Sequence, residues 1–428
     1  MRVAGIITEY NPLHRGHLRL VETVRRELGE GAAVVCCMSG DFVQRGDFAV
    51  VRRQARAKAA VTGGADLVLE LPLLWATSGA EGFAEGGVSL LLATGIVDTL
   101  AFGSERGDTD ALQEAAAVLL RENFSAALRG ELAAGISYPA ARQRAVCKLA
   151  GASVADVLSR PNDILGVEYC KSLLRRASNV RPMAVLRVGD PHDAPPTESA
   201  PAQGAPTAQT ATESASSAAI RALLQRGERA AALSRMAPSM RSCYLEEEAA
   251  GRAPVFYGAL ERAILCRLRV MSRDDFAALD EGREGLGNRL YDASRDAVSV
   301  REVLERAKTK RYPLSRLRRL VLWAFLGLSA RDRARPPAYL RPLAMNAVGR
   351  KLLARMRTEA ALPVLTKAGD VSALGSDAEA LLKLEARAAD LYALAFPNAA
   401  AMTGGAVWKE SPWIADAAPR PILGKDVP

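Results

Sequence analysis

Seven residues, Asn11-Pro12-Leu13-His14-Arg15-Gly16-His17, constrain this chain more than any others. The apolar run at 3–7 before them predicts a short buried strand. Behind them Leu18, Val21, Val24 and Leu28 share one face at helical spacing, so 16–28 reads as a helix. A strand that runs straight into a helix places its turn at the carboxyl edge of a sheet, where α/β folds bind ligands. The helix start adds free N–H groups and the positive end of its dipole, which suit a phosphate.

Two histidines three apart, with glycine between them, can both face such a phosphate. Their N–H groups can donate to oxygens on which negative charge builds during attack on phosphorus, without titrating. Gly16 would let the backbone approach a nucleotide closely. The plain reading is a helix start with incidental histidines. Against it, the chain has 3 histidines, and two of them lie here behind a strand and Asn-Pro.

A chain of 428 residues is long enough for two or three domains. Hydrophobic content of 49% with 25% charged residues fits a soluble globular protein. The net charge of +9 and pI near 9.4 suit an acidic partner, nucleic acid first, although solubility alone would explain them. Cysteines 36, 37, 147, 170, 243 and 266 form no CxxC pair and no metal spacing, so they read as buried thiols of a reducing compartment. The first apolar run breaks at Glu9, so no signal peptide is expected. No long apolar window predicts a membrane span, and the expected location is the cytoplasm.

Strands expected at 3–7, 32–38, 67–71, 99–102 and 183–188 alternate with helices at 16–28, 52–62, 79–94, 109–122 and 125–134. That alternation predicts an α/β fold, a Rossmann-like parallel sheet with right-handed crossovers. HxGH stands where a dinucleotide fold would carry GxGxxG. The expected catalytic domain spans 1–235, with a flexible loop at 191–213 rich in Pro, Ala, Thr and Ser. A mainly α-helical C-terminal domain is expected at 236–403 and a flexible tail at 404–428. Its helices are expected at 253–266, 272–278, 287–297, 300–307, 316–326 and 347–356.

Several residues invite two readings. Asp41, Gln44 and Arg45, in the loop at 39–47, suit a solvated glycine loop or an active-site or RNA-facing one. Arg52, Arg53, Arg56 and Lys58 form a solvated face or a phosphate-contacting stripe. Gly103 is a turn glycine or a point of close approach for a base or ribose. Asn162 reads as a helix N-cap, and Ser216 or Ser217 as the cap of a later helix. Arg187 closes the fifth strand, where a guanidinium could pair with a phosphate in bidentate fashion. From Lys308 to Arg319, six of twelve residues are basic and one is a tyrosine. This is a solvated face or an RNA platform, where cations meet phosphates and a ring stacks on a base.

The HxGH turn resembles that of the HIGH-motif nucleotidylyl transferases. Further blocks narrow the resemblance: Gly40-Asp41-Phe42-Val43-Gln44-Arg45-Gly46, Gly64-Ala65-Asp66-Leu67-Val68-Leu69-Glu70-Leu71-Pro72, Phe102-Gly103-Ser104-Glu105, Asn162-Asp163-Ile164-Leu165-Gly166-Val167-Glu168-Tyr169 and Lys308-Thr309-Lys310-Arg311-Tyr312. Over most of its length the chain resembles the bacterial tRNA(Met) cytidine acetate ligase family. The resemblance implies ATP contacts by Ile7, Thr8, Glu9, Tyr10, Asn11, Pro12, Leu13, His14, Arg15, Gly16, His17, Gly103, Asn162, Arg187, Ser216 and Ser217, with His14 and His17 catalytic. It implies tRNA contacts by Lys308, Lys310, Arg311, Tyr312 and Arg316. His192-Asp193 match a family pair, with Pro191 where an aromatic residue is expected.

The implied reaction has two steps. Acetate attacks the α-phosphorus of ATP to give acetyl-adenylate and pyrophosphate. The N4 amine of the wobble cytidine of elongator tRNA(Met) then takes the acetyl group, leaving AMP. Magnesium is expected to bridge the phosphates, and no dedicated metal site is marked. No membrane partner is expected. A small-molecule nucleotidylyl transferase shares HxGH but would not need the basic helical half. A non-catalytic RNA-binding protein of the same fold is a second alternative. A class I aminoacyl-tRNA synthetase relative is a third, although its KMSKS loop is not recognisable.

Overall fold

The computed structural model describes residues 1–187, 216–282, 285–309 and 312–415. The loop expected at 191–213, with His192-Asp193, lies outside the described residues, as do Lys310, Arg311 and 416–428 of the tail.

The strands are β1 (Val3–Thr8), β2 (Ala33–Ser39), β3 (Phe42–Val43), β4 (Asp47–Phe48), β5 (Leu67–Leu71), β6 (Thr99–Ser104), β7 (Arg181–Leu186), β8 (Pro342–Met345) and β9 (Trp413–Ile414). Seven of them form one sheet in the order β7-β6-β1-β2-β5-β8-β9. Neighbours from β7 to β5 run parallel, and β8 joins β5 antiparallel. Successive β1 residues alternate between the faces: Val3 and Ile7 enter one core, Ala4 and Ile6 the other. Both faces are covered, which is why β1, β2 and β5 are buried along their whole length. On one face lie Phe83, Val88 and Leu91 of the helix Ala80–Ala93. On the other lie Val21 and Val24 of the helix Arg15–Leu28 and Ile220, Leu223 and Leu224 of the helix Ser217–Gln225.

The expected strands and crossovers of the first half are present with ends shifted by up to three residues. The second half differs. It supplies β8 and β9 to the sheet, so the boundary expected near 235 does not divide the strands, and it contains the long helix Ser376–Ala393. The tail expected from 404 holds the helix Ala406–Lys409 and β9 before the described residues end. These strands are short, and their backbone hydrogen bonds come from distant residues, which local pattern does not register. Of the cysteines, 36, 37, 170 and 243 are buried as expected, whereas 147 and 266 are exposed. Among the described residues, no helix is long and apolar enough to cross a membrane.

Asp66 ties the sheet to both halves. Its carboxylate accepts Val34 N–H at 2.8 Å, Arg25 at 2.8 Å and Asn346 Nδ2 at 2.9 Å. Beside it Gly349 is obligatory, since a Cβ there would lie 2.1 Å from the Asp66 carbonyl oxygen. Two arginines of the basic stretch after β4 are neither solvated nor open to phosphate. Arg53 and Arg56 are buried. Arg53 pairs with Asp41, with Glu70 at 3.3 Å and with Glu410 at 3.3 Å. Arg56 donates to the carbonyls of Val51, Glu9, Ser39 and Gly40. Arg52 pairs with Glu247 and Lys58 with Glu246, both at 2.7 Å. Arg341 closes the cluster on Glu70 at 2.9 Å.

Glu385 of the helix Ser376–Ala393 is buried within reach of the charges of this cluster and accepts Leu73 N–H at 2.5 Å. Burial, and then the charge of Glu70, push its carboxyl up to about 8 against Leu73 N–H, Arg53 and Arg341. Its ordinary value is 4.5, so the folded state binds the proton more tightly. Stability from this group is therefore full below about 4.5 and is lost as pH rises through about 8. Glu385→Gln keeps an acceptor for Leu73 without the charge. Its stability relative to the parent is expected to rise between about pH 5 and about pH 8 and then level off, as urea midpoints over a pH series would show. Asp66→Ala strands three donors and is expected to cost ~3–5 kcal/mol in urea unfolding.

Candidate active site

The sheet reverses its winding at β1, which lies between β6 and β2. The crevice beyond the carboxyl end of such a strand is the ligand position of an open α/β sheet. Here the turn from Thr8 to His14 occupies it, and each part of the turn is held by a different segment. The Glu9 carboxylate accepts Gln44 N–H at 2.6 Å. Asn11 Oδ1 accepts Val50 N–H at 2.8 Å, and its carbonyl accepts Arg221 at 2.7 Å. The Pro12 carbonyl accepts the Ser217 hydroxyl at 3.0 Å, and the Leu13 carbonyl accepts Ala237 N–H at 3.1 Å. Asn11-Pro12 is a cis peptide, and Tyr10 has a φ of 47°, sterically costly for a non-glycine residue and sustained by these anchors.

His14 caps the helix Arg15–Leu28. Its Nδ1 accepts Gly16 N–H at 3.1 Å, while His17 Nδ1 accepts His14 N–H at 3.2 Å. The hydrogen-bond pattern assigns both neutral rings the Nε2–H tautomer, with their donors on the far side from the backbone. The rings stack with centroids 3.8 Å apart, and Tyr10 meets His17 edge-on at 5.0 Å. The absence of a side chain at Gly16 serves His14 directly, because a Cβ there would lie 2.9 Å from the imidazole Cε1. Ile7 and Thr8 are buried behind the turn, and Arg15 is exposed at the helix start.

The ends of β6 and β7 form the opposite rim. Asn162 is the second residue of the helix Pro161–Arg175, not its cap, which is Arg160. The cap's work is done by Glu105, whose carboxylate accepts Asn162 N–H at 3.2 Å, Asn162 Nδ2 at 2.6 Å and Asp163 N–H at 3.0 Å. Asp163 in turn accepts the Ser104 hydroxyl at 2.5 Å and Glu105 N–H at 2.9 Å. Gly103 is a point of close approach, for the Arg187 side chain: a Cβ would lie 3.2 Å from Arg187 Cγ. Among the described residues the Arg187 guanidinium has no hydrogen-bond partner. Burial lowers its pKa, and Glu105 partly offsets this. Ser216 caps the helix Ser217–Gln225 by accepting Ala219 N–H at 3.2 Å.

The basic block of the second half is divided. Lys308 is exposed. Tyr312 is only 5% exposed, so its ring is a core group and not a stacking platform. Arg316 lies over that ring at 5.3 Å and donates to the Glu281 carbonyl at 3.0 Å. A tyrosine next to prolines and arginines gives no sequence signal of such burial. Sequence reasoning also missed Glu105, Asp163 and Arg221. Glu105 and Asp163 stand in the blocks 102–105 and 162–169, and Arg221 four residues after Ser217, but their partners lie from 57 to 210 residues away. Glu9 is held above its ordinary pKa by burial, against Gln44 N–H and the charges of Arg221, Arg56 and Arg45.

Comparison with known proteins places this geometry. The HIGH Nucleotidyl Transferase family matches residues 1–405. The tRNA(Met) cytidine acetate ligase of Acetivibrio thermocellus is 34% identical over 420 residues, 95% of this chain and 98% of that one. That of Syntrophomonas wolfei is 32% identical over 426 residues, 96% and 99% of the two chains. The crystal structure of Thermotoga maritima TmcAL bound with alpha-thio ATP superposes with a TM-score of 0.87 at 32% identity, covering 97% of this chain and 99% of that one. The strand-turn-helix that carries HxGH is thus that of the HIGH nucleotidyl transferases, and within them the chain belongs to the tRNA(Met) cytidine acetate ligase family.

Proposed function

We propose that this protein activates acetate with ATP and transfers the acetyl group to N4 of the wobble cytidine of elongator tRNA(Met). The observation that carries the reading is the histidine pair. Both Nδ1 atoms are occupied by backbone N–H groups, so two Nε2–H donors stand at the switch point of a chain related over nearly its whole length to such ligases. In the first step an acetate oxygen bonds to the α-phosphorus and pyrophosphate leaves. His14 and His17 would donate to oxygens that gain charge in that displacement. The capped starts of the helices Arg15–Leu28 and Ser217–Gln225 meet at Pro12 and would face the outer phosphates. Arg187, unpartnered beside Gly103, would take a phosphate oxygen or the ribose edge. In the second step the cytidine N4 bonds to the acetyl carbon, AMP leaves and one proton is released.

Among the described residues, no group of three His, Cys, Asp or Glu side chains is placed to hold a metal ion. Magnesium, a hard cation that favours phosphate oxygens, would bridge the phosphates of ATP. The reading places the enzyme in the cytoplasm, where tRNA and ATP meet. Lys308 remains a candidate tRNA contact by its exposure.

The test combines purified protein, ATP, labelled acetate and unmodified tRNA(Met), followed by nucleoside analysis. ATP-dependent N4-acetylcytidine is the expected product, and its absence overturns the assignment. His14→Ala and His17→Ala are each expected to lower acetate-dependent ATP–pyrophosphate exchange by ~100-fold or more. Unaltered exchange in both would remove the histidines from the chemistry.

A further inference from the structure

Two motifs that lie far apart in the sequence meet at Gly46. This residue has a φ of +73°, and a Cβ on it would lie 2.4 Å from Arg319 N and 2.6 Å from the Arg318 carbonyl carbon. The loop that carries Arg45 is therefore pressed against the backbone of the helix Leu314–Leu326. Arg45 and Arg318 both bear on Arg221, opposing its charge, while Asp47 and Glu9 favour it. Three guanidiniums thus gather beside the turn whose Asn11 carbonyl Arg221 holds. Among the described residues Arg318 forms no hydrogen bond or ion pair. The charge of Arg318, without a hydrogen-bonded partner among the described residues, favours an arriving anion.

The surroundings narrow the anion's identity. Arg318 lines a crevice with Gly46, Asp47, Phe48, Tyr257 and Phe325. Tyr257 is half-buried, and among the charges around it those of Arg318 and Asp47 bear most strongly on its phenol. A guanidinium next to an available ring above an apolar floor suits a nucleotide of single-stranded RNA, with phosphate on the cation and base on the ring. A triphosphate would have no use for the apolar wall.

We propose that Arg45, Arg318 and Tyr257 form the contact that seats the unpaired loop of the RNA substrate beside the HxGH turn. The inference rests on the tRNA reading above. It moves the aromatic platform from the buried Tyr312 to Tyr257, and it puts the RNA contact at the junction between catalytic turn and helical half.

The test uses the full-length protein and its Arg318→Ala, Tyr257→Leu and Tyr257→Phe variants. Affinity for unmodified tRNA(Met) is read by filter binding over a salt series, and acetate-dependent ATP–pyrophosphate exchange is read in parallel. Arg318→Ala and Tyr257→Leu are each expected to weaken tRNA binding by about 10-fold or more. Both should leave exchange and its KM for ATP unchanged, and Tyr257→Phe should restore binding. Arg318→Ala should also flatten the slope of log K against log salt by about 0.7, the loss of one phosphate on a single strand. Unchanged tRNA affinity and salt slope would overturn the proposal. A raised KM for ATP with intact tRNA binding would overturn it too, assigning the arginines to the nucleotide's phosphates. Because filter binding needs no chemistry, a parent that binds tRNA but acetylates nothing would count against the proposed reaction and leave this contact standing.

Discussion

The two histidine rings can serve a ligand only because their Nδ1 atoms are already committed to the backbone. The exchange is reciprocal: His14 takes Gly16 N–H, and His17 takes His14 N–H. A carboxylate at the same capping position would satisfy the helix but present no outward donor. The rest of the architecture holds the turn in place so that this exchange persists. Strand β1 delivers the turn to the switch point, and Gln44, Val50, Ser217, Arg221 and Ala237 fasten its carbonyls and carboxylate from four other stretches of chain. Preorganised donors cost nothing to orient when charge develops, which is the usual source of electrostatic catalysis.

A second constraint lies under that turn. Buried Arg53 pairs with Asp41, Glu70 and Glu410, Arg341 pairs with the same Glu70, and the carboxyl of Glu385 lies in the field of the cluster. Taking such charges out of water is expensive, so the cluster is a poor source of net stability and a strong source of geometry. Any displacement of 341, 385 or 410 against the sheet would leave a buried charge without its partner. This fixes the helical half on the loop at 40–47, and with it Gly46 on the helix Leu314–Leu326.

The sequence made the catalytic half legible because its signals are local. Residues 33–38 and 67–69 are apolar without interruption, as strands covered on both faces are. His14 and His17 stand at a strand-to-helix turn that needs no partner to be recognised. The arginines at 53 and 56 are ambiguous in sequence, since a basic helix looks the same whether solvated, paired with a carboxylate 357 residues away as Arg53 is with Glu410, or spent on backbone carbonyls as Arg56 is. Asn162 was misread as a cap because the true capping group, Glu105, approaches from another strand. Tyr312 lies in a basic stretch and Tyr257 in an apolar one, yet packing buries the first ring and leaves the second half-buried, the reverse of what local composition suggests. Strands β8 and β9 are too short for periodicity to announce them.

Those two strands have a consequence for how the molecule is made. Residues 342–345 and 413–414 extend the sheet beside β5, which the first seventy residues have already supplied. During synthesis β5 therefore emerges long before its neighbour, with one row of backbone groups unpaired. An exposed edge of apolar sequence is a template for wrong pairing. Closing it late also means contacts of high sequence separation, which form slowly. The nascent chain must keep that edge unengaged while some 270 further residues are translated, a separation matched by the Arg341 to Glu70 pair that seals it. The helical half is thus no cassette that could be appended or shed, because the catalytic sheet is finished only by its last strands.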